Sequence, residues 1–200
     1  MATTYFGYCN SDGTIVGAPD GYDSVGNSIE WLADTFLCPG TGNQNIQDLS
    51  IYCYQSGAVN IRLGIYSGNT LIAEGTAEIA VTTTPSWQGH MTQASVKAAG
   101  GSSPGVLVGG QVYTLAYTAD VTSQPVVGYK DPIGNGTNYG GTDYTGGMPT
   151  TLPSYENASL RKYVRCGVEP AAGGSAIPDD SRGMRRGMAR GMGRGMSRIN

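Results

Sequence analysis

The chain has 200 residues, enough for one domain with a sizeable core, and 39% of them are hydrophobic against 14% charged. The first 178 residues carry six Lys or Arg and thirteen Asp or Glu, while the last 22 carry six Arg and two Asp, so a tail of net +4 follows a body of net −7. No run approaches the roughly 18 apolar residues of a membrane span, the opening MATTYFGYCNSDG does not read as a secretory leader, and no Walker loop occurs.

Glycine accounts for 32 residues, about twice its usual share of ~7%, and together with Thr, Ser, Asn and Tyr it points to short strands joined by many turns. In chain order, SIEWLADTFLC (28–38) is ambiguous and is taken as a strand running into Cys38-Pro39-Gly40. Period-2 alternation in QDLSIYCY puts Leu49, Ile51 and Cys53 opposite Asp48, Ser50, Tyr52 and Tyr54. In IRLGIYSG, Ile61, Leu63 and Ile65 oppose Arg62, Gly64 and Tyr66. LIAEGTAEIAV groups Gly75, Ala77, Ile79 and Val81 against Glu74, Thr76 and Glu78, whose carboxylates are expected on the solvent face. GQVYTLAYTAD opposes Tyr113, Leu115 and Tyr117 to Val112, Thr114 and Ala116. The stretch 131–153 is nearly free of aliphatic residues and is expected to be a long surface loop. RKYVRCGVE sets Val164, Cys166 and Val168 opposite Tyr163, Arg165 and Gly167. Such strands, separated by clusters of Gly, Asn and Pro, predict a single all-β domain, an antiparallel sandwich with one wetted face per sheet, over residues 1–168.

The stretch 58–118 joins VNIRLGIYSGNTLIAEGTAE to Trp87 and then to LVGGQVYTLAYTAD with its Gly-Gly turn. It resembles the small jelly-roll domains of bacteriophage virion proteins and of carbohydrate-binding modules, over roughly residues 3–170. The resemblance implies a jelly-roll-like sandwich with a non-enzymatic structural or adhesive role. It transfers no catalytic residue, cofactor or metal. Its phage form places the protein in a virion, and its secreted form at a cell surface or outside the cell.

Chemistry is sparse. His90 is the lone histidine and reads as a surface residue near a loop. Cys9, Cys38, Cys53 and Cys166 form no CxxC pair; they are either two disulfides of unknown connectivity or small buried hydrophobes. Asp20, Asp23, Asn27 and Asp48 read as turn formers rather than a calcium loop. Trp87, Tyr139 and Tyr144 are the candidates for glycan contact.

Residues 169–181, EPAAGGSAIPDDS, read as a linker in which strand pairing does not continue. Residues 182–200 form an arm in which Arg-Gly-Met recurs every four residues. Extended, this arm sets Arg182, Met184, Arg186, Met188, Arg190, Met192, Arg194, Met196 and Arg198 on one face. The other face is small apart from Arg185. Arginine supplies multidentate hydrogen bonds and methionine adaptable apolar contact. The arm therefore suits docking on the acidic body of another copy or on another virion protein, with strand addition to a sheet edge as its mode. A nucleic-acid partner held through phosphate contacts and a solvated tail without fixed partner are the alternatives.

Overall fold

A computed structural model describes residues 2–24, 29–55, 60–119, 126–130, 136–141, 147–152, 155–158 and 161–172, with side chains described for most of these. The strands are β1 (Thr4–Gly7), β2 (Gly21–Ser24), β3 (Ile29–Leu37), β4 (Gly42–Tyr54), β5 (Asn60–Ser67), β6 (Thr70–Gly75), β7 (Ile79–Ala80) and β8 (Ser86–His90). They continue as β9 (Val96–Ala98), β10 (Val106–Gly109), β11 (Val112–Ala119), β12 (Val126–Lys130), β13 (Gly136–Gly141), β14 (Tyr155–Ala158), β15 (Arg161–Lys162) and β16 (Val164–Pro170). Among the described residues the only helix is the 3₁₀ turn Gln93–Ser95, and no helix is long and apolar enough to cross a membrane.

All strands pair antiparallel, in two packed eight-stranded sheets, so the chain is an all-β sandwich. The first sheet is organised by the 13-residue strand β4, which pairs with β16 and β12 along one side and with β10 and β8 along the other. The second runs β14-β13-β3-β11-β5-β6-β9. The core between them is built from the predicted faces: Leu49, Ile51 and Cys53 from β4, Ile61, Leu63 and Ile65 from β5, Leu115 and Tyr117 from β11, Val164, Cys166 and Val168 from β16. Branched and aromatic side chains at alternate positions fill a pleated, doubly covered layer, and that layer is the main source of stability.

The structure corrects four expectations. The run from Leu71 to Val81 is two strands, broken at 76–78, where Ala77 is exposed. A bulge between β5 and β6 also sends Leu71 outward while Ala73 stays in the core. The stretch 131–153 is not a loop throughout: β13 lies in it, paired with β3 and β14. Its segment 147–152 forms a strap over the second sheet, in which Met148 and Leu152 bury Tyr66, Leu71 and Ala116. That part of the face is therefore covered rather than wetted, while its end at Leu37 and Val112 stays exposed. Finally, β16 keeps its ladder through Pro170, opposite Gln44, and Ala171 N–H donates to Asn43 O at 2.9 Å. Pairing thus runs past residue 168 into the expected linker; Pro170, lacking a donor, comes at the last rung of its strand, where its missing N–H costs little.

Candidate functional site

Among the described residues, a dense group of interacting side chains lies on the outer face of the first sheet. Alternation turns Asp48, Ser50, Tyr52 and Tyr54 of β4 outward, and pairing decides what they meet. One rung across β1, β16, β4 and β8 reads Gly7, Arg165, Ser50, Gly89. The next reads Tyr5, Gly167, Asp48. At Gly167 a Cβ would stand 2.8 Å from the Tyr5 ring and 3.0 Å from Asp48 Cβ, so only glycine lets these side chains close over the sheet.

Arg165 fills the space so made. Its Nη2 donates to Asp48 Oδ2 at 2.8 Å and its Nε to Oδ1 at 3.4 Å. Nη1 donates to Gly13 O at 2.5 Å, and Ser50 Oγ–H donates to Asp48 Oδ1. The guanidinium carbon lies 4.4 Å from the Trp87 ring centre and 4.8 Å from that of Tyr5. A desolvated guanidinium between two rings adds about 1–2 kcal/mol to its ion pair. The group therefore acts as a brace: it ties β16 to β1, to β8 and to the 8–20 segment. Burial pushes the Tyr5 phenol up, with the Asp48 charge adding to it.

Beside this brace runs an aromatic band. Tyr52 meets Trp87 edge-on at 5.7 Å and 77°, and Tyr22 meets Tyr54 at 5.1 Å and 83°. Tyr163 packs between Tyr8 and Tyr52 and donates to Val16 O at 3.0 Å. Burial raises its phenol to about 12. Tyr22 is exposed while Tyr52, Tyr54 and Trp87 are half-buried. These edge-to-face pairs present ring edges and hydroxyls rather than one flat platform.

Of the residues singled out from sequence, Trp87 belongs to this face. Tyr139 lies on β13 opposite Trp31 and Tyr155, with its side chain outside the described residues. Tyr144 and the whole arm, Arg182, Arg185, Arg186, Met188, Arg190, Met192, Arg194, Met196 and Arg198, also lie outside them. Arg165, Asp48 and Tyr5 were not anticipated together. Alternation had turned Arg165 and Asp48 outward, but only the β4–β16 register makes them neighbours.

One further expectation is overturned, and one open choice is decided. His90 is no surface residue: it ends β8, is 6% exposed, and faces Gly75 with its Nε2 unpaired among the described residues. Its partner in register is Leu49, a core residue, so alternation within β8 turns the imidazole inward. Burial lowers its pKa, opposed by the Ala77 backbone and by Asp48. The cysteines are free thiols, not disulfides. Cys166 stands opposite Leu49, and Cys53 sits four residues farther along β4, a separation of about 13 Å that no disulfide spans. Cys38, Cys53 and Cys166 are buried as small hydrophobes, and burial lifts the first two to about 11 and about 12 and Cys166 well above its ordinary value.

Compared with protein families, curated proteins and solved structures, the chain gives no match.

Proposed function

We propose that the protein is a non-enzymatic structural module of a repeating assembly, a bacteriophage virion decoration or fibre component, whose arm 182–198 engages a neighbouring copy. The observation that carries this reading is the division of charge: half of the twelve cations sit in the last 22 residues, behind an acidic body. Opposite charges on two parts of one chain favour association between copies and oppose stacking of bodies alone. The brace around Arg165 supports the same reading, because its polar groups are spent on holding strands together. The test is sedimentation of the full chain against a full-length variant with the six arm arginines replaced by Ser. The native chain forms oligomers that grow with concentration and dissolve with salt; equal sedimentation of the two removes the proposal.

The aromatic band favours a second reading, adhesion to a cell-surface glycan through Trp87, Tyr52 and Tyr22. Ring edges and phenol hydroxyls at the surface give a sugar apolar contact and hydrogen-bond partners. Glycan-array binding that disappears in Tyr22→Ala supports it, and an array without signal dismisses it.

A further inference from the structure

Among the described residues seven large apolar side chains are exposed, and four of them, Leu37, Val106, Val108 and Val112, gather at one end of the sandwich. They are 62%, 45%, 44% and 52% exposed. Val106 and Val108 alternate on β10 with Leu107, which points into the core. Leu37 and Val112 are direct partners at the ends of β3 and β11. A tight turn joins the two pairs: Gly110 N–H donates to Cys38 O, Cys38 N–H to Gln111 O, and Gln111 N–H to Val108 O. The sequence from Val106 to Val112 carries no charge; because Leu107 and Tyr113 both point into the core, Val106 and Val108 lie on the outer face of the first sheet and Leu37 and Val112 on that of the second, an exposed apolar pair on either side of the turn.

The chain leaves the body at the same end. Asn43, which accepts from Ala171 N–H, stands opposite Val108. The last rung of β16 is thus two strand spacings, about 10 Å, from Val108. Residues 173–181 reach at most about 30 Å, and the 17 residues 182–198 reach about 55 Å when extended. The arm holds four methionines, Met184, Met188, Met192 and Met196, a side chain that adapts to apolar surfaces of irregular shape. Glu169 lies on the outer face in one rung with Asn45 and Val106, a carboxylate on the rim for the intervening arginines.

Resting on the assembly reading, we infer that Val106 and Val108, on the outer face of the first sheet beside the point where the chain leaves it, receive the methionines of the arm of a second copy. β16 and β10 both run antiparallel to β4, so the chain leaves heading away from its own Val106. A copy meeting it end to end takes the arm without a chain reversal. The contact is made by side chains on the face and not by strand addition along β10. Val108 N–H is already bonded to Tyr113 Oη at 2.9 Å, and Val108 O accepts from Gln111 N–H. This closes the β10 edge at Val108 to strand addition.

The experiment uses full-length chain grown with photo-methionine, light and heavy-isotope copies mixed in equal amounts, irradiated and mapped by mass spectrometry. Crosslinks from Met184, Met188, Met192 or Met196 to residues 106–108, in light–heavy pairs, are expected. Full-length Val106→Asp/Val108→Asp should lose them and associate about tenfold more weakly, and Val106→Ser/Val108→Ser should do so to a lesser degree with unchanged thermal unfolding. Crosslinks to any other surface, or only within one copy, overturn the inference. If the arginine-to-serine arm abolishes association while both valine variants retain it, this surface falls and the arm's role stands. If none of these variants changes association, both fall.

Discussion

Arg165 stacks on Trp87 with its guanidinium carbon 4.4 Å from the ring centre, which joins β16 to β8 across the intervening β4. Asp48, whose side chain is 5% exposed, balances the charge beneath. Asp48→Ala leaves the cation without its partner in a poorly solvated place and should cost about 3 kcal/mol of unfolding free energy. Trp87→Ala and Arg165→Met, alone and combined, should show a coupling of about 1 kcal/mol in a double-mutant cycle. Urea unfolding measures both; additive losses would mean that the stacked geometry contributes nothing.

His90 makes stability depend on mild acid. Its pKa is lowered from 6.5 in the folded chain, so below that pH the unfolded chain binds a proton that the folded chain refuses. The neutral-state stability is complete above pH 6.5 and is lost as pH falls through the window down to the lowered folded value. The slope is at most about 1.4 kcal/mol per pH unit for one proton. His90→Gln should flatten the thermal-unfolding midpoint between pH 6.5 and 5 relative to the native chain. Gly75→Ala, which drives a methyl into the imidazole, should cost about 1–3 kcal/mol at every pH.

The thiols should be insensitive to reductant. Dithiothreitol leaves the unfolding midpoint unchanged, since there is no bridge to break. Intact-mass alkylation at pH 8 should label Cys9 first, and slowly, because it is half-buried and burial raises it to about 11. Cys53 and Cys166 should label only in denaturant. Incomplete labelling in denaturant without reductant would reveal a disulfide.

The strap 147–152 is held by Tyr66 Oη–H donating to Pro149 O at 2.8 Å, by Leu71 N–H to Thr150 O at 2.9 Å and by Leu152 N–H to Asn69 O at 2.8 Å. Met148→Ala should cost about 2–3 kcal/mol, at the low end for a buried methionine because the strap can settle. Tyr66→Phe removes one hydrogen bond and should cost about 1 kcal/mol. Hydrogen exchange at Leu71 and Leu152 should rise in both variants; exchange as slow as in the native chain would mean the strap is held by other contacts.

Much of this architecture was readable from local pattern. The core faces of β4, β5, β11 and β16 follow from alternation alone, and Trp87 stood out as a lone large ring between two strands. His90 was misplaced because a short polar run with one histidine looks like a loop, whereas register with Leu49 carries it inside. The strap was missed because Met148 and Leu152 are single apolar residues in a glycine-rich stretch, with no period to mark them. Arg165 and Asp48 lie 117 positions apart, beyond any motif.

The amino-acid order by itself determined that this chain is a β-sandwich with a cationic terminal segment, because side-chain alternation and charge are properties of neighbours along the chain. The tertiary structure alone decided that Arg165 meets Asp48, Tyr5 and Trp87, that His90 and three thiols are enclosed, and that the strand β16 ends beside the exposed Val106 and Val108. These depend on strand order and register, which are set by pairing between distant segments and the burial it achieves, and no local period encodes them.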